Sequence, residues 1–224
     1  MNVLVGILTC EKTRSLASAC LDTWIKEINP PHNFFFACSK SQAGSSNHFI
    51  DCEPDQGEKR FLLPEKVYKM FSKALDFSWD FFYKCDDDTY LNFNHYLDYI
   101  KSLDPQKDLY IGRRVNKLNW NKFKSNLYYA QGGAGYTLSR SSMEKCLPIL
   151  KNICKDRSKN MRAEDYSVSY CLSKSNISLT HNPLFHTRIA HEDQSSCEDA
   201  ILKFNSYSTH YVAKETFYKI HKQL

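Results

Sequence analysis

The strongest constraint on this chain is the alternation of short apolar runs with helix-period segments through its first half. Residues 3–8, Val-Leu-Val-Gly-Ile-Leu, form one continuous apolar run, the pattern of a buried parallel strand. Residues 14–26 then carry Leu16, Ala19, Cys20 and Trp24 at helical spacing. A second strand is predicted over 34–38, a polar loop over 39–47, a short third strand over 48–50 and a charged loop over 53–59. Pro64 can open a helix, because its missing N–H lies in the unbonded first turn, and Val67, Met70, Phe71, Ala74 and Leu75 then share one face. The next strand is predicted over 81–84. Strands alternating with helices predict an α/β fold whose central, mostly parallel sheet is flanked by helices. Ligands in such sheets sit beyond the carboxyl ends of the strands, so the residues after Leu8 and after Lys84 are expected to face one.

Beyond 110–112 the pattern is less regular, with strand-like segments at 126–130 and 135–138 and helices expected near 141–154 and 165–174. No repeat or linker interrupts it. One domain over 1–224 is expected, with a nucleotide half over about 1–90, an acceptor half over about 91–190 and an extension over 191–224. A chain with 42% hydrophobic and 14% aromatic residues can bury the core this needs. The 30 basic and 25 acidic residues are interspersed, and no run of one sign marks a nucleic-acid face. Nine cysteines show neither a CxxC nor a zinc spacing, and their odd number leaves at least one unpaired. That usage fits a reducing compartment or an oxidised protein with two or three bridges. The apolar run at 3–8 is too short to span a membrane and lacks the flanks of a signal peptide.

Asp86, Asp87 and Asp88 stand together at the end of the 81–84 strand. Three adjacent carboxylates repel, and a cation or strong donors must offset that. Hard oxygen ligands suit Mg²⁺ or Mn²⁺, which can grip the phosphates of a nucleotide sugar and stabilise a departing diphosphate; an acidic solvated turn is the bland alternative. Glu164-Asp165 precedes a helical stretch and can serve as an N-cap or as a base in a cleft. Gln131-Gly132-Gly133-Ala134-Gly135 implies unusual backbone angles or close approach to a ligand. It lacks the lysine and hydroxyl of a P-loop, which disfavours nucleotide hydrolysis. His186 stands far from these motifs, and a lone histidine is more often a surface or core residue than a ligand.

In order, Thr9-Cys10-Glu11-Lys12-Thr13-Arg14, Asp22-Thr23-Trp24, Asp86-Asp87-Asp88-Thr89-Tyr90, Gly132-Gly133-Ala134-Gly135-Tyr136, Glu164-Asp165 and Phe185-His186 resemble the fringe and core 1 β-1,3-galactosyltransferase family over residues 3–190. The resemblance implies a GT-A fold and an inverting transferase. It would use Mn²⁺ (or Mg²⁺) and a UDP-sugar donor to build a β-1,3 linkage on a glycan or glycoprotein. Carried over by position, Asp88 and His186 would hold the metal, and Asp165 would be the catalytic base. Thr9, Arg14, Lys66, Asp86 and Asp87 would contact the donor. Gly132, Gly133, Ala134 and Glu164 would line the sugar and acceptor site, with Trp120, Tyr128 or Tyr129 as a stacking face. Family members carry a membrane anchor and a stem; this sequence starts almost at its first strand, which leads to the expectation of a soluble cytoplasmic protein, in the Golgi lumen only if an anchor has been lost. The competing reading is a non-catalytic sugar-binding or chaperone-like relative, disfavoured because Asp86, Asp87, Asp88 and Asp165 are all present.

Overall fold

The computed structural model describes residues 1–115, 127–156, 163–187 and 195–224. β1 (Val3–Leu8) is buried at all six residues. It lies between β2 (Asn33–Cys38) and β4 (Phe81–Asp86), parallel to both. β3 (Phe49–Asp51) extends the sheet beyond β2, also in parallel. Side chains alternate across β1: Val3, Val5 and Ile7 enter one core, Leu4 and Leu8 the other. A strand covered on both faces has no polar positions, which is why its sequence reads as an uninterrupted apolar run.

α1 (Arg14–Asp22) stops short of the helix expected over 14–26. Thr23 leaves helical geometry (φ −123°, ψ −114°) with its hydroxyl bonded to the Ala19 carbonyl at 2.6 Å, and a 3₁₀ turn over Trp24–Glu27 buries Trp24 and Ile25. α2 (Leu63–Ala74) has Pro64 in its first turn and buries Val67, Met70, Phe71 and Ala74, the face its spacing predicts.

β5 (Tyr90–Leu91) leads into α3 (Phe93–Ile100), capped by Asn92, whose side chain accepts from the His95 N–H. β6 (Tyr110–Gly112), β7 (Arg114–Val115), β8 (Tyr129–Ala130) and β9 (Tyr136–Ser139) follow. Next come α4 (Arg140–Lys155), started by the Ser139 side chain, and α5 (Glu164–Lys174). β10 (Thr180–His181), β11 (Phe185–His186), α6 (Cys197–Leu202), β12 (Ser208–Thr209) and α7 (Lys214–His221) complete the chain.

Among the described residues the main sheet has the order β10-β6-β9-β4-β1-β2-β3. Only β9 runs against its neighbours, wedged between β4 and β6. A smaller sheet, β11-β12-β5, stands beside it, with β12 parallel to β11 and antiparallel to β5. The C-terminal residues pack onto the domain: α7 buries Phe217 and Ile220, and Tyr218 donates to Asp22 at 2.9 Å. All nine cysteines are free thiols. Among the described residues no helix is long and apolar enough to cross a membrane.

Candidate active site

The carboxyl ends of β1 and β4 lie side by side because the strands are parallel, with Leu8 opposite Asp86. Thr9 therefore meets the acidic turn, and its hydroxyl donates to Asp87 Oδ2 at 2.6 Å. Burial pushes the Asp87 carboxyl up to about 7, against the bonds from Thr13 and Thr9 and reinforced by the charges of Asp86 and Asp88. Lys66, reaching across from α2, donates to the Thr9 carbonyl at 2.6 Å and pairs with Glu58. Its ammonium thus ties α2 to the end of β1. Arg14 is exposed on the first turn of α1.

The second carboxylate cluster comes from α5. Its N-cap is Ala163, which offers no side-chain bond, and Glu164 and Asp165 occupy the first turn, where the helix dipole favours negative charge. Asp165 accepts from the backbone N–H of Tyr166 at 2.8 Å and of Gly132 at 3.3 Å. Burial lifts its carboxyl above the usual range, with those two bonds and the charge of Lys84 opposing.

Lys84 joins the two clusters. It is wholly buried in β4, and its ammonium donates to Asp86 at 2.9 Å, to the Gly132 carbonyl at 3.1 Å and to Glu164 at 2.5 Å. Burial alone would lower its pKa, but Asp86 and Glu164 overcome this and keep it protonated. Asp86 experiences the converse: burial pushes it up, and Lys84 followed by His210 brings it below the ordinary carboxylate range. Burial holds Glu164 up at about 7, opposed by Lys84 and reinforced by Asp165 and Asp86.

Asp88 faces His210. The pairing of Thr209 with Tyr90 puts the residue after β12 beside the residues before β5, and His210 Nε2 lies 3.1 Å from Asp88 Oδ1. That oxygen is buried yet completes no aligned hydrogen bond. Asp86, Asp88 and His210 offer three ligand atoms within 4.8 Å of one another. Two carboxylates and an imidazole with an orphaned buried oxygen fit a hard divalent cation. Gln131 steadies the ring at Nδ1, 3.1 Å away, while its own carbonyl accepts from Ala134 N–H.

Among the described residues the structure does not bring His186 to the Asp86–Asp88 pair. His186 lies in β11, on the far side of β12 from Asp88, and its ring is engaged with Thr209 (3.2 Å) and Ser195 (2.9 Å). The residue that meets Asp88 is His210. Gly132, Gly133 and Ala134 form buried backing for the site: a Cβ on Gly133 would overlap the His210 imidazole, and one on Gly132 would overlap Glu164. Thr89 and Ser208 hold this loop by donating to the carbonyls of Gly133 and Ala134, both at 2.5 Å. Of the expected stacking aromatics, Tyr129 is buried, Tyr128 is half exposed against the Arg114 guanidinium, and Trp120 lies outside the described residues.

Sequence reasoning missed Lys84, Gln131 and His210. Lys84 carried a signal, a lone lysine at the end of an apolar strand, one residue before three carboxylates. His210 carried none, since only the pairing of β12 with β5 brings it to Asp88.

This fold recurs among solved glycosyltransferases. A glycosyltransferase involved in the glycosylation of the major capsid of PBCV-1 superposes with a TM-score of 0.59 at 15% identity, covering 98% of this chain and 99% of its own. A galactosyltransferase solved with donor and acceptor sugar analogs gives 0.57 at 9% identity, covering 100% and 96%. The fold is accordingly GT-A. In sequence, the chain is similar to the lunatic fringe β-1,3-N-acetylglucosaminyltransferase of Danio rerio, 26% identical over 213 residues, covering 87% of this chain and 56% of that protein. It is also 23% identical to chondroitin sulfate synthase 3 of Homo sapiens, over 87% of this chain and 24% of that protein. The chain thus spans just over half the length of the fringe relatives it matches. The sequence model of the Fringe-like family matches residues 1–217, a stretch that runs from the first strand past His210 into the last helix, and the chain belongs to that family.

Proposed function

We propose that this protein is an inverting, metal-dependent glycosyltransferase that moves a hexose from a UDP-sugar to a glycan hydroxyl, forming a β-1,3 linkage. The observation that carries this reading is the buried, unsatisfied Asp88 oxygen facing His210 at the carboxyl end of a GT-A sheet, with Asp165 bonded to the adjoining glycine loop. Asp88 and His210, with Asp86 beside them, would hold Mn²⁺ or Mg²⁺. When bound, the ion would supply positive charge to the departing diphosphate. Thr9, Lys66 and Asp87 shape the adjoining end of the donor site. Arg14, exposed at the start of α1, is a further donor contact in this reading.

Asp165 is the general base. In the transfer its carboxylate takes the proton of the acceptor hydroxyl as that oxygen bonds to the anomeric carbon, while the bond from that carbon to the diphosphate breaks on the opposite face. Its burial raises its basicity above that of an ordinary aspartate, and the Gly132 and Tyr166 N–H groups fix its orientation. Glu164, bonded to Lys84 and Tyr136, anchors the turn that carries it.

Calorimetric titration of UDP with and without Mn²⁺ tests these assignments. His210→Ala and Asp88→Ala are expected to lose the Mn²⁺-dependent part of UDP affinity, whereas His186→Ala retains it. Asp165→Asn keeps UDP binding and loses transfer. Mn²⁺-dependent binding preserved in His210→Ala but lost in His186→Ala would return the ligand role to His186.

A further inference from the structure

The residue after His210 is unusual in a way the transfer chemistry does not use. Tyr211 has a backbone φ of 61°, in the left-handed region. A bulky L-residue enters that region at a cost, and such strain concentrates at sites that use it. The conformation is held from both sides: His210 N–H donates to the His186 carbonyl at 3.1 Å, and Val212 N–H donates to the Asp88 carbonyl at 2.9 Å. Core packing does not call for a tyrosine here, because the residue is 50% exposed. Its ring lies against the His210 imidazole, centroids 3.8 Å apart and planes 23° from parallel.

His210, under this ring, lies against Gly133, and the neighbouring Gly132 N–H donates to Asp165 at 3.3 Å, so the His210–Tyr211 stack adjoins the glycine loop that also contacts the base. Among the described residues the other exposed large apolar side chains are Met1, Phe61, Tyr128, Phe204 and Leu224, and none of these stacks on a residue of the Asp86–Asp88–His210 cluster.

We propose that Tyr211 is the platform on which the acceptor's pyranose ring stacks as its hydroxyl is presented to Asp165. A pyranose has an apolar C–H face, which suits the electron-rich face of an aromatic ring, and hydroxyl edges, which suit carboxylates. The acceptor rather than the donor is the occupant. The donor's diphosphate belongs on the buried Asp88–His210 side, whereas the exposed half of Tyr211 meets what arrives from solvent. Holding the acceptor at both ring and hydroxyl fixes the angle of attack. The left-handed backbone turns the side chain out of β12's continuation and onto His210, and a strained tyrosine is kept where glycine would be relaxed.

This assignment rests on the transferase reading, but its test needs no turnover. Saturation-transfer NMR on the full chain with UDP and Mn²⁺ measures binding of the methyl glycosides of galactose, glucose, N-acetylglucosamine and N-acetylgalactosamine. At least one is expected to bind. Tyr211→Ala and Tyr211→Gly are expected to weaken it about tenfold, and Tyr211→Phe and Tyr211→Trp about threefold or less. The thermal midpoint of Tyr211→Gly is expected to equal or exceed that of wild type, since glycine relieves the left-handed strain. Unchanged glycoside affinity in Tyr211→Ala, a lowered midpoint in Tyr211→Gly, or no glycoside binding to wild type would each overturn the proposal. UDP affinity falling in parallel with glycoside affinity would overturn it in favour of a donor-side role. Failure of the transferase reading registers separately, as absence of UDP release from every donor.

Discussion

Asp165 is partly buried and accepts two backbone N–H bonds, and desolvation prevails over them, leaving its carboxyl above the usual aspartate range. A base works in its ionised form, so activity is present above its pKa and lost as pH falls through it. Because the folded value is raised, the acidic limb of kcat/KM is expected above the ordinary aspartate value of about 3.9. Asp165→Glu should move that limb. A limb unmoved by the substitution would assign the titration to Asp87 or Glu164, both held near 7. At this scale the sequence was only partly readable. Asp86, Asp88, Glu164 and Asp165 announce themselves as carboxylates in clusters; Lys84 bonds Asp86 and Glu164, Gly132 links Lys84 to Asp165, and Asp88 pairs with His210. His210 was illegible, because its neighbours in sequence are ordinary and its role depends on a strand partner more than a hundred positions away. The histidine that the Phe185-His186 motif singled out instead meets Thr209 and Ser195.

At the scale of elements, Lys84 is the joint between β4, the glycine loop and α5. It is wholly buried, with Asp86, Glu164 and the Gly132 carbonyl as its partners. Lys84→Met would leave the buried Glu164 carboxylate, and the partly exposed Asp86 beside it, without their cation, at a cost of roughly 3–5 kcal/mol. Denaturant unfolding checks this, and the double variant Lys84→Met with Glu164→Gln is expected to recover part of the loss. Equal stability of Lys84→Met and wild type would contradict the role assigned to the ion pair. The elements themselves differ in how far they could be read. β1, β2, β4 and α2 follow from local pattern, since burial on two faces or on one helical stripe writes itself into the spacing. β9 was legible as a strand-like stretch but not as the antiparallel wedge between β4 and β6, because direction is decided by pairing. The two-residue strands β5, β11 and β12 leave no period to detect, and they are the ones that assemble the Asp88–His210 pair.

Across the whole molecule, the parallel strands bring Thr9 and the three aspartates to one edge of the main sheet, and the small sheet closes on that edge with His210. The expected nucleotide and acceptor halves are stitched together by β9, which lies between β4 of the first and β6 of the second. We propose on that ground that residues 1–224 act as one unit, with α7 packed back against α1 through Tyr218 and Asp22. The central claim is that this unit transfers a sugar through the Asp88–His210 face. The most direct test is UDP release from a panel of UDP-sugars, with a glycoside acceptor present, in Mn²⁺ and in chelator, for wild type and His210→Ala. The account predicts that one donor turns over in Mn²⁺ and that both the chelator and His210→Ala abolish it. Turnover that survives the chelator, or no turnover of any donor together with no Mn²⁺-dependent UDP binding, would contradict it.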